Sequence, residues 1–113
     1  MATTPPKITK IHVKATDNEL YILAAPVDGS SSSEVCHIKS GDNNEVDYAV
    51  IPQSILAAGE YTLIMIGINW GGPQAFEVIL TDDSGKEIPY NHRPPTTDTT
   101  IGVTWKKAVT ITV

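Results

Sequence analysis

The stretch Glu60-Tyr61-Thr62-Leu63-Ile64-Met65-Ile66-Gly67-Ile68-Asn69-Trp70 decides the fold. Residues two apart share one face of an extended strand. Tyr61, Leu63 and Met65 therefore lie on one side, and Thr62, Ile64, Ile66 and Ile68 on the other. Both sides are largely apolar. Such a strand is either central and covered on both faces, or it turns an outer face toward another subunit.

The rest of the chain follows the same two-residue rhythm. Branched Ile, Val and Thr, which lose freedom in helices and pack well on pleated surfaces, dominate the apolar set. No window sustains the i, i+3, i+4, i+7 pattern of an amphipathic helix. Strands are expected at 7–15, 19–25, 35–38, 45–51, 60–70, 74–81 and 86–90, then at 101–105 and 108–113 as two strands or one bent one. Ile11, Val13 and Ala15 share a face of the first; Phe76, Val78 and Leu80 point inward from the sixth. Asp17-Asn18 reads as the turn of a hairpin joining the first two strands. Gly85 is expected at positive φ in the turn Asp82-Asp83-Ser84-Gly85, and 52–59 holds at most one helical turn.

About eight strands without a convincing helix would leave an apolar face wet in one open sheet. Two sheets packed face to face bury it. The expectation is an all-β, two-sheet antiparallel β-sandwich, immunoglobulin-like or jelly-roll, formed by residues 7–113 as a single domain behind a flexible N-terminal arm, 1–6.

Composition narrows the function classes. With 41% hydrophobic and 19% charged residues, the 113-residue chain is not broadly disordered. Lys and Arg total 8 against 13 Asp and Glu, a net charge of −5, opposite in sign to a phosphate-backbone binder. No apolar run reaches the length of a membrane helix. The start, Met1 to Lys7, lacks the basic and apolar regions of a secretory leader, so the chain reads as cytoplasmic at synthesis, with release by a leaderless route left open. A single cysteine, Cys36, closes no internal disulfide and reads as a small buried hydrophobe; His37 next to it falls on the opposite strand face.

No nucleophile elbow, phosphate loop or zinc-protease helix motif is present. His12, His37 and His92 are far apart in sequence and read as surface histidines. Asp47, Glu60, Asp82 and Asp83 could in principle pair as acid and base, but without a nucleophile and its base the chain reads as non-enzymatic. Asp42, Asn44 and Asp47 crowd a turn and form a weak calcium candidate, against the simpler reading that such residues make side-chain-stabilised turns. No other cofactor is expected.

Trp70, flanked by Asn69 and by Gly71-Gly72-Pro73, is the most suggestive feature. An indole offers a flat apolar face with a polar edge, and glycines allow close backbone approach. It either plugs the core or receives a ligand. Asn69, Trp70, Asp82, Asp83, Tyr90, Asn91 and His92 are the residue types of a shallow sugar site. The expected function is therefore a lectin-like, carbohydrate-binding module working from end loops. The alternative is a self-associating structural protein: a coat, fibre, inclusion or toxin subunit. A homo-oligomer through an apolar sheet face or edge fits either reading. The extended His92-Arg93-Pro94-Pro95 piece reads as a rigid connection rather than a recognition arm.

Overall fold

The computed structural model describes residues 5–29, 31–39 and 45–113. Eight strands account for the fold: β1 (Ile8–Ala15), β2 (Glu19–Pro26), β3 (Ser33–Lys39), β4 (Glu45–Val50), β5 (Glu60–Asn69), β6 (Phe76–Asp82), β7 (Glu87–His92) and β8 (Gly102–Thr112). They form two four-stranded antiparallel sheets, ordered β4-β1-β6-β7 and β3-β2-β5-β8. Among the described residues the only helical piece is a 3-10 turn at Pro52–Ser54, and no helix is long and apolar enough to cross a membrane.

The inward faces interlock into one core. Ile11, Val13, Val78 and Leu80 from the first sheet meet Leu20, Ile22, Leu63 and Met65 from the second. The last strand is a single run, in regular register from Trp105 through Ala108 where an interruption was expected; its register shift lies at Thr104, where Gly67 and Ile68 face Trp105 and Val103. Gly85 has a φ of +89°, as the hairpin turn before β7 requires.

One expected pairing is wrong. β1 and β2 are not a hairpin: β1 pairs with β4 and β6, and β2 pairs with β3 and β5. A two-residue hairpin needs positive φ in its turn, and no described non-glycine residue has it. Instead the Asn18 N–H donates to the Ile68 carbonyl at 2.8 Å. That bond carries the chain across into the second sheet.

Register fixes what meets at each end. Glu19 faces both Lys39 and Ile68, Asn69 faces Gly102, and Phe76 faces His92. The 16–18, 70–75 and 93–101 connections therefore share one end of the sandwich. Ile8 faces Asp82, and Glu60 faces Thr112, which puts the Asp82 turn at the other end. There the Pro6 carbonyl accepts from Thr112 N–H at 2.8 Å and the Pro5 carbonyl from Thr112 Oγ1 at 3.1 Å. Residues 1–4 of the expected arm lie outside the described residues.

The two outer faces differ in character. On the β4-β1-β6-β7 sheet, Lys10, His12, Lys14, Asp47, Glu77 and Glu87 alternate with the inward residues, and Arg93 reaches Glu77 at 2.8 Å. On the other sheet, Tyr21, Leu23, Ile64, Ile66 and Ile68 face outward and are half-buried against one another. The two-sided apolar pattern of β5 is thus a core face and an outer face that no further layer among the described residues covers.

Candidate ligand-binding site

β5 runs its outward positions 62, 64, 66 and 68 straight into Trp70. The indole emerges on the outer sheet face, at the end where the 16–18 connection enters β2. Trp70 is 59% exposed, so it does not plug the core. That role falls to Trp105, half-buried with its ring stacked on the buried Phe76 at 5.9 Å between centroids.

Trp70 is nonetheless fixed. Its backbone N–H donates to Asn18 Oδ1 at 2.7 Å, and its indole N–H donates to Glu19 Oε2 at 2.5 Å. Glu19 is only 9% exposed. Its other oxygen accepts from His37 Nε2 at 2.9 Å and lies 3.9 Å from Lys39 Nζ. His37 is in turn stacked on Tyr21, 3.9 Å between centroids and 10° between planes. The indole bond, followed by the histidine bond, holds the Glu19 carboxyl below the usual carboxylate range despite its burial. Asn18, Glu19, Lys39 and Trp70 line a shallow recess of about 220 Å³.

No protein-family model matches this chain, and no curated protein or solved structure does. The site therefore has to speak through its own geometry. All five buried polar or charged residues among those described, Thr16, Asp17, Glu19, Asn69 and Gln74, belong to the Trp70 end. Within that set Thr16 Oγ1 and Gln74 Oε1 have no hydrogen-bond partner, so the buried polar groups concentrate at one end of the sandwich.

The seven residues expected to form the sugar site do not assemble. Trp70 alone presents its side chain to the recess. Asn69 is buried and structural: its amide donates to the carbonyls of Gly72 at 3.0 Å and Thr100 at 2.9 Å, tying the Trp70 loop to the 93–101 loop. Asp82 and Asp83 sit at the far end, where Asp82 Oδ1 accepts from the backbone N–H groups of Ser84 and Lys86, both at 2.9 Å. The Ser84 hydroxyl bond and these amides hold its carboxyl low, which is turn chemistry. Tyr90, Asn91 and His92 are strand residues of β7. His92 directly faces Phe76, Tyr90 packs on the core with Lys107 Nζ 5.7 Å above its ring, and Asn91 points to the other outer face. All three are a sheet away from the indole. Asp98 behaves like Asp82, accepting from the Thr100 hydroxyl and N–H.

Of the calcium candidates, Asp42 and Asn44 lie outside the described residues. Asp47 is engaged by His12 at 2.5 Å, which lowers its pKa. Among the described residues no group of three metal-ligating side chains comes together. His12 and His37 stand on the two opposite outer faces, each against a carboxylate.

The residues missed were Asn18, Glu19, Tyr21, His37 and Lys39. Their signal was present as two i, i+2 pairs, Glu19 with Tyr21 and His37 with Lys39, which register places side by side. The hairpin composition of Asp17-Asn18 hides it, because it points β2 toward β1 instead of toward β3 and β5.

Proposed function

We propose that this protein is a non-catalytic binding module that takes a saccharide on the Trp70 platform. The single observation behind this reading is a large aromatic face that is exposed yet held by two hydrogen bonds, one to its indole N–H and one to its backbone. An exposed ring of this size usually gains by burial. One held rigid and open is preorganised for a flat apolar partner with polar edges, and the C–H face of a pyranose ring is such a partner. The recess is shallow, so one site binds weakly, and repetition in a homo-oligomer supplies avidity. Trp70→Ala should abolish binding on a broad glycan array and keep the strand signature in circular dichroism, lowering the thermal midpoint only by what the lost bond to Glu19 is worth. An array that stays blank with and without calcium overturns the reading.

A second reading, a self-associating structural protein, is favoured by the apolar outer face. Ile101 and Val103, 66% and 61% exposed, extend the half-buried Leu23, Ile64, Ile66 and Ile68 toward Trp70. Four strands at about 4.8 Å spacing and ten residues at about 3.3 Å rise make a face on the order of 600 Å², close to the ~800 Å² each partner contributes to a standard interface. Ile66→Lys should then shift the sedimentation coefficient to that of a monomer. A wild-type protein that is monomeric at every concentration overturns this reading and leaves the saccharide reading standing.

A further inference from the structure

We infer that the saccharide taken on the Trp70 platform is an acidic one, carrying a carboxylate, and that Lys39 is the residue that selects it; the inference rests on the saccharide reading above. It follows from counting donors and acceptors around the recess. Glu19 Oε2 is occupied by the Trp70 indole and Oε1 by His37 with Lys39 nearby. Asn18 Oδ1 is occupied by the Trp70 backbone N–H. Among the described residues, each side-chain oxygen lining the recess thus already accepts from a donor of the site itself, and the Glu19 carboxylate that carries two of the three is nearly buried, so little of its remaining acceptor capacity faces a ligand.

The donors are in surplus. Asn18 Nδ2 gives one hydrogen to Asp17 Oδ1 at 2.7 Å and has a second. The Lys39 ammonium carries three, is 74% exposed, and its ion-pair contact with Glu19 at 3.9 Å is beyond hydrogen-bond range. A neutral sugar offers hydroxyls that need both acceptors and donors. Here it would find mainly donors. A sugar carboxylate needs donors alone, and a compact, mobile ammonium beside a flat ring suits it.

The charge of the surrounding face agrees. Lys106 faces outward beside Ile66 and Tyr21 by register, on the same side as His37 and Lys39. Among the described residues that line the recess, the one carboxylate is that already bonded by Trp70 and His37. The chain is acidic as a whole, with a net charge of −5, yet this corner is not.

The test is a fluorescence titration of a Trp105→Phe protein, so that Trp70 is the only indole. The probes are oligosaccharides of galacturonate, of glucuronate and with terminal sialic acid, each beside its neutral counterpart. The expected result is at least ten-fold tighter binding of an acidic member than of its neutral partner, weakened by salt. Lys39→Gln should remove that preference, bringing the acidic probe to the affinity of its neutral counterpart and abolishing the salt dependence, while the thermal midpoint stays put. Neutral sugars binding as well as acidic ones overturn the inference and leave the platform reading intact, as does a preference that survives Lys39→Gln. Silence toward every probe overturns both.

Discussion

Trp70 and Glu19, 51 residues apart in the chain, are joined by a 2.5 Å hydrogen bond from indole nitrogen to carboxylate. The bond spans the outer face of one sheet, and His37 completes it from the next strand. Glu19→Gln tests how much this contact holds. A glutamine offers one acceptor oxygen, and its amide end would present N–H to whichever donor lost its partner. The substitution should cost about 1–3 kcal/mol, the usual penalty for a polar group left unsatisfied in a buried setting. The strand signature in circular dichroism should persist. In a Trp105→Phe background, Trp70 emission should broaden and become easier to quench by iodide. An unchanged quenching constant would mean that Glu19 does not hold the ring.

Acid should act through the same bond. Trp70 first and His37 second depress the Glu19 carboxyl in the folded protein. A carboxylate with a folded value below its unfolded one stabilises the fold above the unfolded value, about 4.3 for glutamate, and loses that contribution as pH falls through the folded value. Thermal midpoints should therefore be flat with respect to Glu19 from neutral pH down to about 4.3, then decline. Asp47, Asp82 and Asp98 are depressed too and add to the decline. The share belonging to Glu19 is the difference between wild type and Glu19→Gln, whose midpoint should fall less steeply below pH 4.3. Parallel curves would remove Glu19 from the account.

How far these features are legible in the chain depends on the range of the forces involved. The strands and their inward faces are written locally, because alternation of Ile, Val and Leu with polar residues is a two-residue signal. Ile11, Val13, Phe76, Val78 and Leu80 all point inward as that signal requires. Sheet partners are set by non-local contacts. Asp17-Asn18 has hairpin composition, yet Thr16 and Asp17 are buried and the turn crosses between sheets. From that one mispairing the candidate site goes astray: Trp70 was found by its own chemistry, whereas Glu19, His37 and Lys39 become its neighbours only once β2 lies between β3 and β5.

Gly67 interrupts the apolar run of β5 for a reason that packing supplies. A Cβ there would stand 2.9 Å from two ring carbons of Phe76. That ring is fully buried and stacked on Trp105, so it cannot swing aside without opening the core. Gly67→Ala should destabilise by about 1–3 kcal/mol through overpacking, against the gain a strand usually draws from losing a glycine. Urea unfolding measures it directly. Pairing the substitution with Phe76→Leu, which removes the ring, should recover part of the loss. A stabilised Gly67→Ala protein would show that the Phe76 ring has room to move.

Cys36 offers a reading of how the edge of the sandwich opens. The thiol is buried on the inner face of β3, while His37, one residue on, faces out to Glu19. No imidazole is therefore aimed at the sulfur, and burial pushes the thiol up to about 11, against roughly 8.5 for a free cysteine. At pH 8 the folded protein should hold only about a thousandth of its thiol as thiolate, roughly two-hundred-fold less than an exposed cysteine. Alkylation by iodoacetamide should be slow in buffer and rapid in urea. Because β3 is an edge strand that, among the described strands, pairs with β2 alone, whatever reaction occurs in buffer should report local opening of that strand rather than global unfolding. The rate should then rise in Glu19→Gln, which weakens the β2–β3 contact through His37, by more than its loss of global stability accounts for. A rate that follows global stability alone would mean that β3 opens only with the whole domain.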